Sequence, residues 1–364
     1  MTDPQLTASI LRPRRTGLAR WLPIVLGAAV LAVAFAFPYL VDRPRFWLPN
    51  IGIRSLWLGV IAMSLVFLNR YVGLLSLAQV AIAGVSAYGM GFIMVKLELP
   101  FLLGAVVGLA SGTLAAVLVG LVAARTKAIY FLMITLAIGQ VFYSWASQSI
   151  EVTNARRGLA PIDRPELGGL DLANIQTFYY FALILALICY LLCRYAASST
   201  FGLTLQGVRD SPERMRALGY NVFGYRIAAM AFAGFIASVG GVLLALDRNQ
   251  IDPNSVSLGS TLDVLVVAVI GGIGSLGGVF LGAVVITLLS NFSQNFTDRY
   301  MTLTGLVFIL VLLFAPTGLA GLWQQARRLV SRRRDARTEQ ESLSGLPGDQ
   351  PRAHTQKGTS NEAD

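Results

Sequence analysis

The chain has 364 residues, of which 55% are apolar and only 13% charged, with a formal net charge of +10. Its mean hydropathy is +0.64. These values exclude an ordinary soluble globular domain and direct attention to the uncharged runs.

The first run, 21–41, follows a basic arm over 1–20 that carries four arginines. Ala34-Phe35-Ala36 also fits a signal-peptidase site, but 21 residues exceed the usual signal core and favour a retained span. Runs without Asp, Glu, Lys or Arg then cover 55–69, 71–95, 99–124, 128–150, 172–193, 227–246, 264–297 and 300–326. About 20 apolar residues cross a bilayer. Run 55–69 is the weakest and needs Ile51 and Ile53 to join it. Run 264–297 is too long for one span, and "GGIGSLGG" (271–278) divides it by a tight turn. The pattern predicts an all-α, polytopic membrane helix bundle of about ten transmembrane helices over 21–326. A polar tail, 327–364, follows; it is basic at first and then poor in apolar residues, the composition of a disordered segment. Its first arginines suit anionic membrane lipid.

With the N-terminus inside, 20 of the 29 Lys and Arg residues fall on the cytoplasmic side and 9 on the other. This is the positive-inside bias. It predicts a multi-pass protein of a bacterial cytoplasmic (inner) membrane with both termini cytoplasmic, and it accounts for the basic charge without a nucleic-acid partner.

The spans are nearly free of ionisable groups, the usual carriers of proton coupling; Asp263 lies at the outer end of one. Neutral polar residues Ser76, Gln79, Ser86, Thr135 and Gln140 fit a translocation pathway or ordinary interhelical hydrogen bonds equally well. Gly104, Gly108 and Gly112 recur every four residues, as do Gly274, Gly278 and Gly282, a spacing that lets helices pack closely. Cys189 and Cys193 fit packing better than metal or redox chemistry, and the one histidine, His354, lies in the tail. No catalytic or metal-ligating set emerges. The only lysines, Lys96, Lys127 and Lys357, are preceded by Val95, Thr126 and Gln356. A Gly-Lys-Ser/Thr phosphate loop is therefore absent, and ATP, if used, is bound by other subunits, leaving this chain without a cofactor.

One polar stretch interrupts the oily chain: "VRDSPERMRALGYNVFGYR", 208–226, within a loop over 196–226. Ser211 is placed as an N-cap, Pro212 at the first helical position, Glu213 in the first turn and Gly219 as a left-handed stop. Met215 and Leu218 share one face, and Arg209, Glu213 and Arg216 are polar. The segment is either an ordinary capped helix or a short helix docked on a partner.

Glu213, Ala217 and Gly219 resemble the "EAA…G" loop of ABC importer permeases, with Arg214 and Met215 where that motif has alanines. The wider chain resembles the LivM branch, the branched-chain amino acid permeases. "GLLSLAQVAIAGVSAY" (73–88) is similar to that branch's G-x-x-S-L-G-Q…G-A-Y segment, with Ala78 for its glycine. "RTKAIYFLMITLAIGQVFY" (125–143), the stretch 198–245, "IDPNSVSLGSTL" (251–262), "VIGGIGSLGGVFLGA" (269–283) and "LLFAPTGLAGL" (312–322) follow in the family's order. Where the family has a glycine-rich "TGGxxGL", this chain has Thr153-Asn154-Ala155-Arg156-Arg157-Gly158-Leu159.

The resemblance implies an ABC importer permease for branched-chain or related amino acids. Its partners would be a homologous, LivH-like permease subunit, two ABC ATPase subunits and an extracytoplasmic solute-binding protein. The helix within 209–221 would couple to the ATPases, with Met215 and Leu218 in the buried contact and Arg209, Glu213 and Arg216 at its rim. Loop 149–175 is the largest external feature, placed to receive the binding protein. Urea or short amides are alternative solutes, and a carrier or channel working without ATPases is the alternative mechanism. A membrane scaffold would explain the glycines but not the framed loop helix.

Overall fold

The computed structural model describes residues 32–39, 44–126, 128–167, 170–296 and 305. All lie in the first of the chain's two compact units, Met1–Gly321; the second, Leu322–Asp364, falls outside the described residues. So do the basic arm 1–20 and nearly all of the expected span 300–326. Apart from loops, the described part is helical except for two short antiparallel strands, Glu166–Leu167 and Leu170–Asp171, and an isolated bridge between Leu159 and Ile251.

Helix α1, Arg54–Val72, is entered through a π-helical turn, Leu48–Ile53, that contains Pro49. Together they make a 25-residue apolar helix. Ile51 and Ile53 do join it, and what looks weakest in sequence becomes the centre of the bundle: 94% of its most apolar window is buried. Its own glycines admit the neighbours. A Cβ on Gly52 would lie 2.9 Å from the Tyr179 ring, and one on Gly59 2.6 Å from Phe280.

The expected third span, 71–95, is not one helix. Gly73 ends α1 in the left-handed conformation (φ 72°), its N–H bonded to the Asn69 carbonyl. Residues 74–78 are non-helical, and α2, Gln79–Gly91, begins beyond them, extended by a π turn, Phe92–Lys96. Non-helical backbone at membrane depth is tolerated where protein or a wet cavity covers it; here Leu74, Ser76, Leu77 and Ala78 are all buried.

Helix α3, Phe101–Ala123, lies along α2 through the predicted glycine row. A Cβ on Gly104 would sit 2.9 Å from Met94, and one on Gly108 2.7 Å from the Ser86 carbonyl; Gly112 faces Ser86 and Ser238. Helix α4, Ala128–Gln148, and α5, Ile175–Ser198, complete an outer layer. Only 28%, 22% and 33% of the apolar windows of α3, α4 and α5 are buried. Their outward leucines, valines and isoleucines suit lipid or another membrane subunit. Cys189 and Cys193 face the core as free thiols.

After α5 the chain turns at Ser199 into the amphipathic α6, Thr200–Asp210, then the short α7, Pro212–Ala217, and the long α8, Val222–Arg248. With 72% and 61% of their windows buried, α8 and α2 join α1 as the inner layer. The expected division of run 264–297 is present, as α9, Leu258–Gly271, and α10, Gly278–Phe296, joined by a turn over 272–277. The second glycine row is not a single helical face. Gly274 lies in that turn with open space where a Cβ would stand, the Gly278 carbonyl abuts Gly271, and a Cβ on Gly282 would meet the Gly271 backbone. At 14 residues, α9 is about 21 Å long.

Long-range contacts sort the helix ends into two faces. Arg70 donates to the Gly274 carbonyl, Arg209 to the Arg70 carbonyl, and Arg226 to the Ala124 carbonyl. At the opposite face Trp57 donates to Asp247, Arg164 to the Leu246 and Asp247 carbonyls, and Asn291 to the Asn50 carbonyl. Helices α1 to α5 and α8 to α10 therefore alternate in direction, with α6 and α7 on the arginine-rich face.

Candidate functional site

Two arrangements stand out, one on the α6–α7 face and one at the break before α2. Ser211 occupies the N-cap position of α7, with non-helical φ −155° and ψ 87°, but its hydroxyl makes no capping bond. The stop is as expected and complete. Gly219 has φ 86°; its N–H reaches the Arg216 carbonyl, and the Tyr220 N–H reaches the Met215 carbonyl. These two bonds are the Schellman pair.

The side chains of α7 divide. Met215 turns inward, so that a Cβ on Gly207 would lie 2.9 Å from its sulfur. Glu213, Arg214, Arg216 and Ala217 are exposed, as are Leu218 (67%) and Tyr220 (42%). Of the two residues expected to meet a partner, Leu218 is free to do so, whereas Met215 welds α7 to α6. Arg209 stays on the surface, its side chain 38% exposed, but lies across the end of α1. Its guanidinium pairs with Asp210 at 2.8 Å and donates to the Arg70 carbonyl at the end of α1.

At the break, the Leu77 N–H donates to Thr135 Oγ1 at 3.1 Å, tying the non-helical segment to α4. Gln79 Oε1 accepts from Ser64 at 3.1 Å, and Gln79 Nε2 lies 3.9 Å from the Met230 sulfur. The Ser76 hydroxyl is fully buried and has no hydrogen-bond partner among the described residues. Thr135 thus ties α4 to the break at Leu77, and Gln79 ties the start of α2 to Ser64 of α1 and Met230 of α8. Ser86 does not join them: it donates to the Ser238 carbonyl at 2.9 Å, in the glycine-lined contact with α3. Gln140 is half-buried on α4, one turn before a shallow groove of about 560 Å³ lined by Val141, Ser144, Trp145, Gln148 and Ser149.

The family model described as "Branched-chain amino acid transport system / permease component" matches residues 48–316, the whole region that holds both arrangements. The chain belongs to this permease family. The permease is 23% identical over 332 residues to the high-affinity branched-chain amino acid transport system permease protein LivM of Salmonella typhimurium, covering 83% of this chain and 76% of that one. To the LivM protein of Escherichia coli it is 22% identical, with coverages of 80% and 73%. A probable LivM permease of Methanocaldococcus jannaschii is 25% identical, with coverages of 64% and 69%. No solved structure matches. The permease is thus a component of a transport system.

The loop between α4 and α5 accounts for this permease's departure from the glycine-rich segment. Asn154 (φ 62°) and Ala155 (φ 51°) hold left-handed conformations that glycine adopts without strain. Thr153 Oγ1 anchors them by donating to the Ala146 carbonyl at 2.7 Å. Leu159 pairs with Ile251, and the Ile162 N–H donates to the Asn249 carbonyl at 2.8 Å. Arg164 then caps the end of α8 and stacks 4.4 Å above the Phe178 ring. Burial lowers its pKa from the ordinary arginine value, and the Asp247 charge opposes that. Sequence reading passed over Arg164 because a lone loop arginine carries no pattern.

Proposed function

We propose that the permease is the membrane subunit of an ATP-driven importer of branched-chain amino acids, seated in a bacterial cytoplasmic membrane with α6 and α7 facing the cytosol. It works with a homologous permease subunit, two ABC ATPases that bind the ATP, and an extracytoplasmic binding protein that meets the anchored α4–α5 loop. The observation that carries this reading is α7: a six-residue helix closed by a Schellman stop, presenting exposed Leu218 and Tyr220 beside Glu213 and Arg216. So short a helix has little stability alone, and such an apolar tip on a charged surface suits a groove on an ATPase.

The solute path runs past Ser76, Gln79 and Thr135. Solute sites in membrane transporters gather where helices are broken, and this break is lined by neutral polar groups. That suits a zwitterion better than an ion. Gln140 extends the path toward the groove on α4.

The test is reconstitution with the partner subunits, comparing uptake of leucine, urea and a short amide with and without ATP. Leucine uptake that requires ATP is the expected result. Uptake by the isolated chain would overturn the mechanism, and transport of urea alone would overturn the substrate.

A further inference from the structure

We infer that Arg209 is a positioning residue that carries displacement of α7 to the break before α2. This rests on the coupling role proposed above. The contacts form a chain. The Ser211 N–H bonds to the Gly207 carbonyl at 3.0 Å and the Met215 N–H to the Ser211 carbonyl at 3.1 Å, while the Met215 side chain covers Gly207. A push on α7 therefore moves the end of α6, where Arg209 sits.

Arg209 grips its target in two ways. Its Nη1 donates to the Arg70 carbonyl, one of the last four of α1 that no intrahelical N–H can reach. Its stem lies across Gly73, where an added Cβ would be 2.7 Å from Arg209 Cγ. Gly73 is both the left-handed stop of α1 and the first residue of the non-helical segment. Six residues later the chain enters α2 at Gln79, past Ser76 and the Leu77–Thr135 bond. Arg70, whose carbonyl is gripped, donates its own guanidinium to the Gly274 carbonyl in the α9–α10 turn. One arginine thus joins the loop helix, the end of the central helix and the hinge residue of the break. The Asp210 carboxylate holds its Nε and Nη2, which leaves Nη1 aimed at α1. An arginine at the rim of an ATPase contact would instead point to solvent with its stem free.

The test uses the full complex in proteoliposomes and reads leucine uptake per ATP hydrolysed. For Arg209→Met we expect the ATPases to copurify at wild-type amounts and to hydrolyse ATP, while uptake per ATP falls roughly tenfold, within the range of ordinary coupling between sites. Arg209→Lys, which keeps one donor, is expected to restore most of it. Loss of ATPase copurification in Arg209→Met would identify a direct rim contact and overturn the inference. Unchanged uptake per ATP would overturn it too. Should Arg209→Met not accumulate in the membrane, hydrogen exchange of the wild-type complex decides. Protection of residues 74–78 that changes on ATP binding supports the route, and constant protection overturns it. If the wild-type complex takes up no leucine with ATP, the importer reading itself fails and this inference falls with it.

Discussion

Two backbone positions show what single residues contribute. Gly73 combines a positive φ with the Arg209 stem where a side chain would go. We expect Gly73→Ala to lower stability by about 1–3 kcal/mol through strain alone, measured by thermal unfolding in detergent. Ala155 presents the opposite case, a residue with a Cβ held at φ 51°. Ala155→Gly relieves that strain, and a gain of about 1 kcal/mol is expected in the same assay. The sequence marks Ala155, which stands in a segment that is glycine-rich in the family, and Gly219, whose helix is framed by an N-cap candidate and Pro212. Gly73 sits inside an unbroken apolar run, where nothing marks one glycine as a stop. The contacts of Met215 and Arg209 were equally hidden, since they depend on Gly207 and on the end of α1, neither of which is near in helical spacing.

At the scale of elements, charge-free runs locate most helices because the bilayer excludes ionised groups. They fail at 73–78, where the chain leaves the helix without leaving the apolar interior. Neither charge nor proline records the change. The polar character of Ser76, Gln79 and Thr135 is plain in the sequence, but their partners are not: Ser64 and Met230, which meet Gln79, come from helices far away in the chain, and no local pattern points to them. The α6–α7 element carries a direct prediction. Leu218→Asp should reduce ATPase copurification at least tenfold while the chain still inserts, since Leu218 is 67% exposed and little of its own subunit's packing rests on it. Gly219→Pro should have the same effect for another reason: proline cannot adopt φ 86° and lacks the N–H that bonds to the Arg216 carbonyl. Pull-down from membranes, normalised to inserted chain, reads both.

For the molecule as a whole, the two faces defined by contacts agree with the alternation required by the positive-inside pattern. Arg70, Arg209, Arg226 and the 272–277 turn share one face, and Arg164, Asp247 and Asn50 the other. Orientation in the cell is open to a direct measurement. A membrane-impermeant thiol reagent applied to intact cells should label Arg157→Cys and spare Leu218→Cys, whereas inverted vesicles should reverse the result. Cys189 and Cys193 are buried and give little background. The inner layer of α1, α2 and α8 against an outer layer of α3, α4 and α5 was not legible, because all six helices are apolar on every side. Burial separates them, and composition does not.

The brevity of α9 reaches beyond the protein. At about 21 Å it falls short of a hydrocarbon core of about 30 Å, and Leu258 and Leu262 on it are exposed. Lipid covering that flank would have to compress its tails to match so short a helix. Reconstituted into vesicles of graded acyl length, it should work best in short chains and slow steadily as the tails lengthen.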